Sequence, residues 1–337
     1  MHNGQKVIDV HGHLSTPHQV EAFGFNLIIG TPNAFEPFIL SDDLMETAQV
    51  RHLKVLDDRH IDVQFLSPRP LGMLHWERPY IVQHWTHTTN DLIARACHLH
   101  PDRFRGIAQL PQQTDQDTSN CIPELDRCIN ELGFVGAVVN PDPGGERKTP
   151  KLDGEYWLPL YRRAEQLEAT LIIHGSAPRD DRRIVHGYDT TGDPQMDRQF
   201  NFMAEQTLAT LVLERGLVFE RFPRLKVVVV HCGGSPSRFV PGTGRVQSRN
   251  DLSENLFFDT CAYDKWFLTA AMQQRGANRM VFGTEAPGAG TGTINPETGR
   301  PSDDLVPVID AMDFLAAEEK QALFYDNPRK VFPLFRE

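Results

Sequence analysis

Cysteine is scarce in this chain and follows no pattern that would indicate a zinc finger or a disulfide framework. Five cysteines, an odd number, occur among 337 residues, and none stands in a CxxC pair. Such usage is typical of reduced proteins with buried thiols. The sequence also lacks a secretory leader and an apolar run long enough to span a membrane. We therefore expect a cytoplasmic protein without a membrane partner.

Positive charge is scarce as well, because 34 Lys and Arg residues stand against 45 Asp and Glu residues, giving a net charge of -11. A surface of this sign repels phosphate backbones, so nucleic acid is not expected as a partner. A small anionic substrate is still compatible with a locally positive pocket. No GxGxxG turn follows the first apolar run, which disfavours a dinucleotide-binding sheet.

Short apolar runs alternate with helical patterns along the chain, which predicts an α/β fold with parallel strands. Eight such units fit a closed (β/α)8 TIM barrel, predicted as one domain over residues 1–337, with a doubly wound sheet as the alternative. The predicted strands are Lys6–Val10, Asp62–Ser67, Gly106–Leu110, Phe134–Asn140, Thr170–His174, Lys226–His231, Asn255–Thr260 and Arg279–Gly283. Three stretches rich in proline and glycine are predicted as long loops on the C-terminal rim, namely Asn140–Gly145, Ser176–Pro194 and Ala286–Pro301.

Two histidines separated by glycine follow the first predicted strand. Alternate residues of a strand point to the same side, so His11 and His13 project together and can hold a divalent metal ion. An isolated HxH is more often a pair of surface histidines, and support must come from other strands. His174 ends the fifth strand, His231 ends the sixth, and Glu285 follows the eighth. Five such side chains on one rim predict a metal centre.

Motifs from the whole chain resemble the amidohydrolase superfamily. They include "IDVHGH", "LIIHG", "FERFPRLKVVVVHCGG", "VFGTE" and "DNPRKVFPLF". The resemblance is strongest to the amidohydrolase-related branch, which contains aminocarboxymuconate-semialdehyde and γ-resorcylate decarboxylases and 4-oxalomesaconate hydratase. It implies one divalent ion, Zn²⁺ or Mn²⁺, held by His11, His13, His174 and Glu285. It also implies catalytic roles for His231, in proton transfer, and for Glu285.

One departure from the branch concerns the acid after the eighth strand. Most relatives carry aspartate in "FGSD", whereas this chain has "FGTE" ending at Glu285. The hydratase resembles this chain in that glutamate, in "SPR" at Ser67–Arg69 and in the insert Asn295–Asp304. The loop "TEAPGAGTG" does not match closely enough to indicate the same enzyme.

Candidate substrate contacts follow the second strand. Arg69 offers a planar fork suited to a carboxylate, although a solvated arginine before proline is nearly as common. His75 and Trp76, with Trp85, could line a pocket for an apolar ring, or they could simply pack a helix. Glu205 is expected on the solvent face of its helix, and most histidines in predicted helices or loops, His52 among them, are expected to be surface residues.

These observations predict a metal-dependent lyase acting on a small carboxylated aromatic or ring-cleavage compound. Decarboxylation is slightly favoured by its frequency among relatives, and hydration is favoured by Glu285 and the loops. A mononuclear hydrolase is a further alternative, with one metal because strand four ends in Asn140 rather than a carboxylated lysine. A metal-free binding protein is disfavoured. The resemblance and the apolar stretches Phe35–Leu40 and Phe332–Phe335 indicate a homo-oligomer, most simply a dimer.

Overall fold

A computed structural model describes residues 2, 4–145, 147–176, 194–238 and 252–336 of the chain. Within them, eight strands lie side by side in sequence order, and every neighbouring pair is parallel. The strands are β1 (Ile8–His13), β2 (Val63–Ser67), β3 (Phe104–Ala108), β4 (Gly136–Val139), β5 (Thr170–Ile173), β6 (Val227–Val229), β7 (Leu256–Asp259) and β8 (Met280–Val281).

Two main-chain hydrogen bonds join the last strand region to the first. The N–H of Val10 donates to the carbonyl of Phe282 at 2.9 Å, and the N–H of Glu285 donates to the carbonyl of His11 at 2.7 Å. The sheet is thereby closed into a cylinder. The prediction of a (β/α)8 barrel is confirmed, whereas a single domain over residues 1–337 stays a prediction.

Helices follow the strands and cover the outside of the barrel. They are α1 (His18–Ile29), α2 (Asp42–Asp58), α3 (Pro79–Leu99), α4 (Ile122–Asn130), α5 (Leu158–Leu167), α6 (Pro194–Leu213), α7 (Leu217–Arg221), α8 (Lys265–Arg275), α9 (Leu305–Asp310), α10 (Ala317–Gln321) and α11 (Asn327–Val331). Among the described segments, no helix combines the length and hydropathy that a membrane span needs.

The barrel interior is apolar at the end where the strands begin. Phe65 of β2 packs against the rings of Phe332 and Phe335, with centroids 4.8 and 5.2 Å away. Both C-terminal phenylalanines belong to the buried cluster inside the strands, with 0% and 4% of their surface exposed. The use of Phe332–Phe335 as a sign of a dimer interface is therefore wrong, since these rings close the bottom of the barrel. The polar side chains of the candidate site lie at the opposite, C-terminal rim.

The sequence pattern does not indicate helix α1, which lies between the first two strands. Val20 and Leu27 are buried under it, whereas Phe25 and Ile29 are more than half exposed. Apolar residues on both faces hide the helical period on which such a prediction depends. The helix ends at Gly30, whose φ of 68° is a typical left-handed cap.

The first strand runs further than predicted, because His11 and His13 lie inside it rather than after it. Its pairing with β2 shifts register between Asp9 and Gly12. Two of the predicted rim loops, Asn140–Gly145 and Ala286–Pro301, contain no helix or named strand in their described residues. Most of the third, Ser176–Pro194, lies outside the described residues.

Candidate metal centre

Four histidine rings meet at the C-terminal rim of the barrel. The His11 ring centroid lies 5.1 Å from that of His13, 5.2 Å from that of His174 and 5.1 Å from that of His231. His174 is also 5.4 Å from His13 and 5.1 Å from His231. The structure therefore brings together the histidines that the strand ends predicted.

The Nδ1 atoms of three of these rings are bound by neighbouring acceptors. His11 Nδ1 lies 2.6 Å from the Asp259 carboxylate. His174 Nδ1 lies 2.7 Å from the carbonyl oxygen of Gly175, which can only accept a hydrogen bond. These two rings therefore carry a proton on Nδ1, and their Nε2 lone pairs are free to bind a metal ion.

His13 reaches the same state through a serine. Its Nδ1 lies 2.8 Å from Ser67 Oγ, and that hydroxyl lies 2.9 Å from the carbonyl oxygen of Gly12. Because Ser67 donates its proton to the carbonyl, its oxygen accepts from His13 Nδ1. The Nε2 atom of His13 is left with a lone pair that faces the cluster.

Within the described residues, the Nε2 atoms of His11, His13, His174 and His231 are all buried without a hydrogen-bond partner. Burial, followed by the nearby histidines, holds the pKa of His11 and of His174 well below its usual value, so both stay neutral. Buried neutral imidazoles with orphaned lone pairs are what a divalent ion requires of its ligands. The donor set thus fits a divalent metal ion.

Glu285 completes the centre from the segment after β8. Its backbone has φ of 61°, which is uncommon for a residue with a side chain. Glu285 Oε1 lies 3.4 Å from His13 Nε2, and Oε2 lies 3.1 Å from the hydroxyl of Tyr263. Burial alone would raise the pKa of Glu285, but the contact with His13 and the electrostatic interaction with His231 hold it well below its usual value.

His231 differs from the other three rings. Neither of its ring nitrogens forms a hydrogen bond to a described residue, and its side chain is only partly buried. Its donor atom nevertheless lies within 4.8 Å of those of His11, His174 and Glu285. The geometry alone is therefore compatible with a metal ligand or with a proton carrier, and the proton-transfer role stays a prediction.

Two buried aspartates, which the sequence analysis did not single out, bind groups around the histidine cluster. Asp259, at the end of β7, binds His11 through Oδ2 and accepts main-chain N–H bonds from Cys232 and Cys261 through Oδ1. Asp9 accepts the main-chain N–H of His11 at 2.9 Å and the hydroxyl of Thr284 at 2.6 Å. Burial raises the pKa of each aspartate to about 7. The sequence could have indicated both, because each is an acidic residue within an otherwise apolar strand.

The predicted substrate contacts lie in different surroundings. Arg69 is exposed at the rim, and its guanidinium forms no ion pair or hydrogen bond with a described residue. Partial burial of its guanidinium lowers the pKa of Arg69, and the charge of Glu285 opposes that shift. His75 is buried, with Nε2 2.9 Å from the Leu110 carbonyl oxygen and Nδ1 3.2 Å from Asn140 Nδ2. Trp76 packs against the outer apolar core. Substrate binding by these residues stays a prediction.

Two expectations about surface exposure are wrong. His52 is 1% exposed, with its ring nitrogens 3.0 Å from Ser15 Oγ and 2.6 Å from Gln64 Oε1, and burial lowers its pKa to about 4. Glu205 is turned inward, with a buried Oε2 packed against Gly175, and burial raises its pKa to about 8. Helical periodicity does not tell which side of α6 the barrel covers.

A model of the amidohydrolase family matches residues 8–334. The chain belongs to this family. It is 33% identical to a 2-keto-4-carboxy-3-hexenedioate hydratase of Sphingobium, over 97% of this chain and 96% of the relative. It is 30% identical to a gamma-resorcylate decarboxylase of Rhodococcus jostii, over 72% of this chain and 78% of the relative.

Among solved structures, 4-oxalomesaconate hydratase from Rhodopseudomonas palustris superposes with a TM-score of 0.83 and 30% identity, over 97% of this chain and 96% of that chain. The predicted resemblance is confirmed. Because the relatives are hydratases and decarboxylases, the prediction of a lyase of the amidohydrolase superfamily is confirmed as well. Both reactions remain supported at this level.

Proposed function

We propose that this enzyme is a metal-dependent hydratase that adds water across the conjugated double bond of a small unsaturated keto acid with several carboxylates. The observation that carries this proposal is the pairing of Glu285 with His231 across one histidine cluster. Hydration needs a base for the water and an acid for the neighbouring carbon, and this site offers both. The two hydratase relatives also match over nearly the full length of both chains.

Glu285 is suited to the part of the base. Its lowered pKa keeps the carboxylate ionised, and the Tyr263 hydroxyl holds one oxygen while the other faces His13. The second oxygen can therefore take a proton from a water molecule at the cluster. His231 then donates a proton to the adjacent carbon, since its Nε2 is not held by a hydrogen bond to the described protein and can face the substrate. Such a proton transfer contributes about 10²- to 10⁴-fold in rate.

The metal ion would be held by His11, His13, His174 and Glu285, and we infer Zn²⁺ from the three imidazole nitrogens and one carboxylate. When bound, such an ion polarises a substrate oxygen and lowers the pKa of water. Mn²⁺ is the alternative that a metal analysis of the purified enzyme decides. The guanidinium of Arg69 would bind a carboxylate that survives the reaction.

Turnover of 2-keto-4-carboxy-3-hexenedioate by metal-loaded enzyme tests the proposal. We expect the absorbance of the conjugated acid to fall and the product mass to rise by one water, without release of CO2. Loss of CO2 from a carboxylated phenol, with no reaction of the unsaturated acid, would contradict it. An ester or amide panel in the same assay covers the hydrolase alternative.

Decarboxylation is the second candidate, and the decarboxylase relative favours it. In that reaction His231 would deliver a proton to the carbon that loses CO2, and Glu285 would not need to act as a base. Glu285→Gln therefore separates the two chemistries, provided that kcat is expressed per bound metal ion, because Glu285 is also a proposed ligand. A hydratase loses most of its kcat, whereas a decarboxylase that uses His231 alone keeps a larger share.

We also infer a homodimer from apolar side chains exposed near α1. Phe25, Ile29 and Ile39 are 59%, 54% and 90% exposed. Exposed apolar groups in one region favour association with a second copy. Light scattering of the wild type and of Ile39→Lys measures it, with dimer expected for the first and a shift toward monomer for the second.

A further inference from the structure

A cavity of about 280 Å³ lies outside the barrel wall, between β1, α1 and α3. Its walls are mostly apolar and include Leu14, Val20, Ile28 and Trp85. Leu14 directly follows His13, but its side chain belongs to the apolar layer between strands and helices rather than to the barrel interior. The cavity therefore adjoins the metal centre without being part of it.

Two polar atoms at this cavity lack partners. Gln109 is fully buried, and its amide nitrogen donates to the Met73 carbonyl at 2.9 Å and to Thr86 Oγ1 at 3.0 Å. Within the described residues, its Oε1 has no hydrogen-bond partner, and neither does the hydroxyl of Thr89, which is 8% exposed. Buried polar groups are normally satisfied, so an amide acceptor and a hydroxyl left open in one cavity point to a ligand that supplies a hydrogen-bond donor.

A cation stands at the edge of the same cavity. Arg69 lines it and forms no ion pair or hydrogen bond through its guanidinium with any described residue. Glu21, exposed on α1, also lines the cavity and interacts with the Arg69 charge without forming an ion pair. A planar guanidinium of this kind binds carboxylates through two parallel hydrogen bonds.

We propose that this cavity is a second ligand site, for a single-ring phenolic carboxylate. The carboxylate would bind Arg69, the ring would lie among the apolar walls beside Trp85, and the phenolic hydroxyl would donate to Gln109 Oε1 next to Thr89. Trp85 is suited to this place because its indole N–H already donates to the Gly72 carbonyl at 2.6 Å, which fixes the ring. The cavity volume is near the lower end for ligand pockets, as a one-ring molecule requires.

Calorimetric titration with 4-hydroxybenzoate tests the site, using metal-loaded and metal-depleted enzyme in parallel. We expect one binding event whose Kd is the same in both, because no wall residue is a metal ligand. Thr89→Val removes only the hydroxyl and is expected to weaken binding about 3- to 10-fold, the effect of one hydrogen bond. Ile28→Phe fills the cavity and is expected to weaken it by at least about tenfold.

Matched controls are available elsewhere in the chain. Ile294→Phe places the same ring at an exposed isoleucine outside the cavity, and Thr47→Val removes an exposed hydroxyl on α2, so neither is expected to change Kd. Benzoate lacks the phenolic donor, so we expect it to bind to the wild type more weakly than 4-hydroxybenzoate does. Its Kd should be the same for the wild type and for Thr89→Val.

Three outcomes would overturn the proposal. Binding could disappear with the metal, it could be insensitive to both Ile28→Phe and Thr89→Val, or it could be absent at millimolar 4-hydroxybenzoate. Arg69 takes part in both proposals, whereas Thr89 and Ile28 line only this cavity. Thr89→Val and Ile28→Phe should therefore weaken 4-hydroxybenzoate binding and leave hydration of the unsaturated acid unchanged, which keeps the two proposals distinguishable.

Discussion

The hydroxyl of Tyr263 lies 3.1 Å from Glu285 Oε2 and 3.3 Å from the carbonyl oxygen of Thr284. A phenol from the segment after β7 therefore holds the carboxylate that follows β8. With one oxygen bound in this way, the other is directed toward His13. Tyr263, which follows the neighbouring strand β7, therefore helps to orient Glu285, the acid in which this chain differs from most of its branch. This contact leads to the first prediction.

Tyr263→Phe removes this hydrogen bond while keeping the ring. We expect kcat to fall about 3- to 10-fold, as for loss of one hydrogen bond, with KM nearly unchanged because no substrate contact is removed. Tyr80→Phe, at a residue 48% exposed, is the control. Steady-state kinetics at a matched metal content provide the measurement, and an unchanged kcat would show that Tyr263 does not position Glu285.

The metal centre predicts about one divalent ion per chain by elemental analysis. The double variant His11→Ala, His13→Ala should lose it, because two of the proposed ligands are removed. His18→Ala, at an exposed residue of the first helix, should keep it. Full metal occupancy in the double variant would refute the ligand assignment.

His231→Asn separates a proton carrier from a ligand. If His231 is the proton donor, its replacement should leave metal content and unfolding temperature unchanged while kcat falls about 10²- to 10⁴-fold. Metal analysis and kinetics on the same preparation give both quantities. If metal content falls in parallel with kcat, His231 is a ligand, and the close approach of its donor atom to those of His11 and His174 explains why.

Glu205 gives a prediction about stability and pH. Burial, followed by the charge of Asp142, raises its pKa from 4.5 to about 8. Between these two values the folded chain binds more protons than the unfolded chain, so the free energy of unfolding should fall as pH rises from about 5 to 8. In Glu205→Gln this contribution is absent, and we expect the fall to be smaller by about 1–2 kcal/mol.

Urea unfolding at pH 5 and pH 8 measures the difference between wild type and Glu205→Gln. The exposed Glu318→Gln on α10 serves as the control and should behave as wild type. Identical pH dependence in wild type and Glu205→Gln would mean that the buried carboxyl stays ionised, held by Arg147 and the Ser176 N–H, which lower its pKa.

The sequence alone determined the order of the strands and showed that the candidate catalytic and metal-binding side chains lie at their C-terminal ends. Alternation along β1 places His11 and His13 on one side, and parallel strands bring His174, His231 and Glu285 to the same rim. Both consequences follow from local periodicity and chain direction, which are written in the sequence.

Tertiary structure decided which neighbours each side chain meets. Asp259 reaches His11 across 248 positions of chain, and no local pattern links them. His52 on α2 and the Oε2 atom of Glu205 on α6 are buried, and only packing against the barrel decides this. Phe332 and Phe335 likewise look like an exposed apolar stretch in the sequence, but in the fold their rings are buried inside the N-terminal end of the barrel. Burial is a property of the partner surface as much as of the residue, and that surface exists only once the barrel has closed.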